Sequence, residues 1–179
     1  MTLFCKLTYL CLFGALGAVV PFMPLVWASK GFTEYHVGLL GALSPAAAFV
    51  ASPHLCAWAD RHNAQRKMML STVALWGLTR VAVLPCKVQW QVAVLEAINA
   101  VVRSPVTSLV DTAVLRIVGD AGYGVERLWG AIGFGFATLT AGWVSDGFAS
   151  GIFLVFGGLV TLTFAAAAAL PSSPVSSSG

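Results

Sequence analysis

Charged side chains are scarce in this sequence. Lys, Arg, Asp and Glu together make up 9% of its 179 residues, against about 25% in a typical soluble domain. That shortage excludes a water-soluble fold of this size, which would need a polar surface these residues cannot supply. The four cysteines (Cys5, Cys11, Cys56 and Cys86) show no CxxC spacing and sit in or beside apolar segments. They read as small packing residues rather than metal ligands or disulfide partners. The net charge is only +3, no nucleic-acid partner is expected, and no cofactor is expected either. What is abundant is hydrophobic, at 58% of the chain, so the solvent for most of it is the lipid bilayer.

The uncharged runs set the element count, because a helix needs about 20 apolar residues to cross the hydrocarbon core. Leu7 to Ser29 and Tyr35 to Ala59 carry no Lys, Arg, Asp or Glu. Met68 to Cys86 is broken only by Arg80, and Val88 to Leu115 carries Glu96, Arg103 and Asp111. Leu128 to Ser145 and Gly147 to Leu170 are again clean. The runs are long and do not alternate, which favours helices over barrel strands. The expected fold is an all-α membrane protein, a six-transmembrane-helix bundle over residues 1–170. Its helices are placed at about 4–28, 35–58, 68–86, 90–116, 127–146 and 150–170. Residues 171–179 form a Pro/Ser-rich tail expected to be disordered. The first span exceeds the usual core of a signal peptide and joins straight onto a second span, so it reads as a membrane helix.

Short loops rich in Lys and Arg stay in the cytoplasm. With a cytoplasmic N-terminus, Lys6, Arg61, Arg66, Lys67 and Arg116 lie inside, Arg127 lies at that boundary, and only Lys30 and Lys87 lie outside. Both termini are then cytoplasmic, and residues 117–126 form the second inner loop. Small residues at i, i+4 spacing (Gly133, Ala137 and Ala141; Gly38 and Ala42; Gly14 and Ala18) let helix backbones approach closely in lipid. Pro21 and Pro24 should bend or break the first span near its outer end.

The fourth span carries the main functional signal. At about 100° per residue, Glu96, Asn99, Arg103, Thr107 and Asp111 share about a third of the helix circumference. A charge near the bilayer midplane, as at Arg103, is costly unless it faces protein or water. The stripe is therefore expected to face a bundle interior and a wet cavity. The alternative is that Glu96 and Arg103 form an internal ion pair that only fixes packing. Arg80, within two turns of the outer end of its span, reads as a snorkelling or packing residue. His54 reads as a packed histidine. The loop containing Asp60, Arg61, Arg66 and Lys67 can pair with neighbouring helix ends and latch one state of a moving bundle, or it is an ordinary basic inner loop.

Three segments, in order, resemble the major facilitator superfamily, with the closest likeness to its lactose-permease and nucleoside-symporter-like branch. They are PFMPLVW (Pro21 to Trp27) followed by VGLLGA (Val37 to Ala42); the loop ADRHNAQRK; and Asp111 followed by YGVERLWGAIGFG (Tyr123 to Gly135). In the loop, Asp60, Arg61, Arg66 and Lys67 match the family's signature pattern, while Cys56 stands where glycine is usual. The resemblance implies a half of that fold, two inverted three-helix repeats. It also implies a substrate site with Asp111 as carboxylate, Arg127 as guanidinium and Phe134 as the aromatic surface. Phe134 replaces a tryptophan, so sugar specificity is not implied.

The function expected on these grounds is transmembrane transport of a small polar solute: a sugar, nucleoside or organic anion. Proton coupling is implied by the resemblance alone. Glu96, Asn99 and Arg103 join Asp111, Arg127 and Phe134 as candidate substrate contacts, and Asp60, Arg61, Arg66 and Lys67 form the candidate gate. The partner expected is a second six-helix half. A non-transporting half-bundle that regulates another membrane protein is the alternative. An intramembrane enzyme is disfavoured, because no catalytic cluster is legible; His54 and Ser44 stand too far apart along one helix to meet.

Overall fold

The computed structural model describes residues 2–147 and 150–170, and every regular element among them is helical. The expectation of a disordered tail at 171–179 lies outside the described residues. The helices are α1 (Thr2–Val19), α2 (Met23–Ser29), α3 (Glu34–Arg61), α4 (Gln65–Val81), α5 (Gln89–Arg103), α6 (Val106–Gly147) and α7 (Gly151–Ala168). Helix is the form that lets an apolar run satisfy its own backbone where no water can do so. Four stretches are long and apolar enough to cross a membrane: Thr2–Ser29, Glu34–Arg61, Gln89–Asp146 and Gly151–Ala168. The 17-residue α4, which carries Arg66, Lys67 and Arg80, is not among them.

Breaks fall where the backbone chemistry demands them. A 3-10 turn over Val20–Phe22 separates α1 from α2, with Pro21 at its start. Pro105 lacks an N–H and stands with Ser104 in the two-residue turn between α5 and α6, so the expected fourth span is two helices, α5 and the start of α6, rather than one. The expected inner loop at 117–126 is helical on both sides of a single residue. Gly119 has φ 69° and ψ 176°, a region essentially open to glycine alone. The chain turns back there. Asp111 and Arg127 are 16 residues apart yet 3.5 Å from each other, whereas a continuous helix would separate them by about 24 Å at 1.5 Å per residue. The reversal falls inside the segment expected as a loop, but one glycine suffices for it, so the residues around it stay helical.

Contacts gather the helix ends at two poles. At one, Arg66 of α4 donates to the carbonyls of Ala168 and Leu170 at the end of α7, and Arg116 donates to Gln65. At the other, Lys30 donates to the carbonyls of Leu84 and Cys86, and Gln89 to that of Gly31. α1 is the hub and packs along α6 and α7. Its buried Tyr9, Leu12, Ala15 and Ala18 belong to one apolar core with Val73, Trp76, Val110 and Phe156. Trp76 meets Phe156 edge-on, with ring centres 5.0 Å apart.

Between α1 and the second arm of α6 the backbones touch. A Cβ on Gly133 would stand 2.1 Å from the Leu10 carbonyl oxygen, and one on Gly17 would stand 2.3 Å from that of Phe134. Thr138 Oγ1 donates to the Gly17 carbonyl at 2.9 Å. Helices in lipid have no hydrophobic drive to associate, so such close approach supplies the attraction. α3 is the least covered helix, and Tyr35, Phe49 and Trp58 are exposed on it. His54 is exposed as well rather than packed.

Candidate functional site

Two polar clusters are built into the bundle. The first joins α2, α4 and α5. Arg80 is 5% exposed and its Nη1 lies 2.6 Å from Glu96 Oε1. That oxygen also accepts from Trp27 Nε1 at 3.0 Å. Arg80 Nη2 donates to Asn99 Oδ1, and Asn99 Nδ2 donates to Thr79 Oγ1 at 2.9 Å. Of the snorkelling and packing readings of Arg80, the structure has the second: acceptors from α5 meet the guanidinium inside the protein, so it has no need to reach the interface. It also replaces the Glu96–Arg103 pair that the fourth span alone suggested. Glu96 and Asn99 hold three helices together and are buried, so the structure does not bring them to an open surface.

The second cluster stands where α1 faces both arms of α6. Tyr9 donates its hydroxyl hydrogen to Asp111 Oδ1 at 2.6 Å. Arg127 Nη1 lies 3.5 Å from Asp111 Oδ2 and donates to the Tyr123 hydroxyl oxygen at 2.5 Å. Its guanidinium sits 5.7 Å from the Tyr123 ring centre. The Asp111–Arg127 contact is loose, and the two side chains are 24% and 50% exposed. A carboxylate that accepts hydroxyl hydrogens and a guanidinium that donates in a fixed fork therefore keep free positions beside aromatic rings. Phe134, two turns beyond Arg127 on the same face, is partly exposed.

Of the other sequence-derived residues, Arg103 is half-buried and without a hydrogen-bond or ion-pair partner among the described residues. Asp60 accepts from Gln65 Nε2 at 2.7 Å, and Arg66 caps the end of α7, where a cation complements the helix dipole. Arg61 and Lys67 are exposed. Sequence reasoning missed Tyr9, Trp27 and Tyr123. Tyr123 was within reach of such reasoning, since it stands four residues before Arg127 on one helix face. Tyr9 and Trp27 come from other helices, and no spacing along the chain announces them. Among the described residues no group of three His, Cys, Asp or Glu side chains could hold a metal ion.

Long apolar helices closed around buried charges define an integral membrane protein. Residues 3–178 match the MFS_1 like family, and the chain belongs to it. It is 29% identical over 177 residues to a maltose permease of Geobacillus stearothermophilus. That alignment covers 97% of this chain and 45% of the permease, so the chain spans about half the length of the curated relative it matches. No solved structure matches it significantly.

Proposed function

We propose that this chain supplies one half of a transporter that carries a small polar solute (sugar, nucleoside or organic anion) across a membrane. The observation that carries the reading is the half-open Asp111–Arg127 pair flanked by Tyr9 and Tyr123. Solute oxygens and hydroxyls would engage these two charges, with Phe134 as the apolar surface. Arg103 would be a further contact, and Glu96 and Asn99 would support it from the buried network. The maltose permease relative is consistent with a hydroxyl-rich solute. Proton symport remains part of the proposal through the family resemblance. The Asp60–Lys67 loop would latch one state, since Arg66 ties it to the end of α7.

The proposed architecture has six crossings in two inverted three-helix repeats, with both termini in the cytoplasm and a second six-helix bundle as partner. The reversal at Gly119 and the two-pole arrangement support the crossings. The excess of cations at the Arg66–Arg116 pole supports the orientation. A reporter inserted after Gly147 should be extracytoplasmic, and one inserted after His62 should be cytoplasmic; the opposite pattern would exclude this topology.

Uptake tests the function. In cells expressing the native product, uptake of radiolabelled maltose, a nucleoside and gluconate is compared across variants. For the solute that is carried, Asp111→Asn and Arg127→Gln should each lower uptake about tenfold or more, the scale of losing hydrogen bonds to a charged group. The amount of protein in the membrane should be unchanged. Asp60→Asn should slow turnover with little change in KM. Loss of insertion instead of uptake would favour the non-transporting half-bundle.

A further inference from the structure

Tyr9 of α1 is 0% exposed, so a solute in the open part of the site does not touch it. Its ring is fixed on two sides, tilted against Phe13 with ring centres 6.0 Å apart and edge-on to Tyr123 at 6.4 Å. The hydroxyl therefore has little freedom to swing away, and it donates to Asp111 Oδ1 at 2.6 Å, the length of a charge-assisted bond. Asp111 stands on the first arm of α6 and Arg127 on the second. A carboxylate and a guanidinium that face each other commonly close into a fork of two parallel hydrogen bonds. Here a single loose contact of 3.5 Å joins Arg127 Nη1 to Asp111 Oδ2, and Nη1 also donates to the Tyr123 hydroxyl oxygen at 2.5 Å. Nε and Nη2 of Arg127 keep no partner among the described residues. Closing the fork would need Oδ1, and Tyr9 holds that oxygen.

We propose that Tyr9 is the positioning residue of this site: its hydroxyl keeps the Asp111–Arg127 pair open and leaves Asp111 Oδ2 as the one carboxylate oxygen presented to a solute. The inference rests on the transport reading of that pair. A solute hydroxyl donates to Oδ2 and accepts from a spare N–H of Arg127 at the same time. The Asp111 and Arg127 side chains are 24% and 50% exposed, so the approach to them is open. Removing the phenol oxygen releases Oδ1, and the pair collapses into the fork. The solute then has to break two charge-assisted bonds before it can bind. The penalty falls on affinity rather than on the movement of the bundle. Folding is spared, because the fork replaces the bond that is lost.

Tyr9→Phe, which keeps the ring and removes the hydroxyl, tests this in the native product. One measurement needs no solute. Infrared difference spectra of detergent-purified protein, with and without Asp111→Asn, isolate the Asp111 carboxylate band, and Tyr9→Phe should shift it. The other is uptake of radiolabelled maltose, a nucleoside and gluconate. For the solute that is carried, Tyr9→Phe should raise KM about tenfold, the scale of a hydrogen bond to a charged group. The maximal rate and the melting midpoint should stay nearly unchanged. On an Arg127→Gln background, where no charged fork can form, adding Tyr9→Phe should raise KM little further. An Asp111 band that does not move overturns the proposal, and so does an unchanged KM. A lowered midpoint with the same rise in KM on both backgrounds also overturns it, because that pattern marks a packing role. The two proposals fail separately. Native uptake by Asp111→Asn removes the transport reading, while an infrared shift in Tyr9→Phe still establishes that Tyr9 orders the carboxylate. Lost uptake in Asp111→Asn beside a native KM in Tyr9→Phe removes only the positioning role.

Discussion

Glu96→Ala should be among the most damaging single substitutions in this protein. It leaves the Arg80 guanidinium, 5% exposed, with Asn99 as its remaining side-chain acceptor. Breaking a buried ion pair by removing one partner costs about 3–5 kcal/mol, because the other charge is left uncompensated. Thr79→Val, which removes a neutral hydrogen bond to Asn99, provides the contrast. Such bonds between membrane helices are worth about 0.6 kcal/mol on average. Charge, not hydrogen-bond count, should therefore decide the ranking. Thermal melting of detergent-purified variants measures it. The double variant Glu96→Leu with Arg80→Met should recover a large part of the loss, since it removes both charges together. Equal midpoints for Glu96→Ala and Thr79→Val would show that Arg80 finds another counter-charge.

Gly133→Val should be comparably severe for a steric reason. Even a single Cβ at this position would stand 2.1 Å from the Leu10 carbonyl oxygen and 2.9 Å from Leu10 Cα. These are backbone atoms of the hub helix, and they cannot rotate aside as a side chain does. Overpacking a tight contact costs about 1–3 kcal/mol, and here α1 and α6 would have to separate along their whole crossing. The same substitution at Gly135, where a Cβ meets nothing within 4 Å, should leave folding nearly unchanged. Yield of monodisperse protein and melting midpoint read both variants. A Gly133→Val protein as stable as the Gly135 variant would mean that the crossing is looser than described. The Asp111–Tyr9 contact depends on that crossing, so the damage should extend to uptake.

The candidate site was partly legible before the fold was known. Asp111 and Arg103 stand out because a charge in an apolar run needs a reason, whereas Arg127, at the boundary of its span, stood out only through the family resemblance. The Gly133 and Gly14 stripes were legible for a similar reason, since small residues at helical spacing have one common use in lipid, but the same spacing at Gly38 and Ala42 marks no close approach here, because a Cβ on Gly38 would meet nothing within 4 Å. The polar stripe on α5 and α6 was read as a single surface, and it divides into three. Glu96 and Asn99 turn to Arg80, Asp111 turns to Tyr9 and Arg127, and Arg103 is left over. Helical periodicity tells which residues share a face, but it cannot tell which neighbouring helix that face meets at each depth.

The amino-acid sequence by itself determined that this protein is helical and lives in a membrane. It also determined where charges must be protected and which residues permit close packing. These properties depend on composition and on local spacing, which act over one or two helical turns. Only the tertiary structure decided the partners: Arg80 with Glu96, Tyr9 with Asp111, and Trp27 with the buried network. It also decided that one glycine with positive φ, rather than a polar loop, reverses the chain between Asp111 and Arg127. The reason is physical. Desolvation cost is a property of a residue and can be read along the chain. The group that relieves it is fixed by helix packing, which brings together residues from 16 to 102 positions apart.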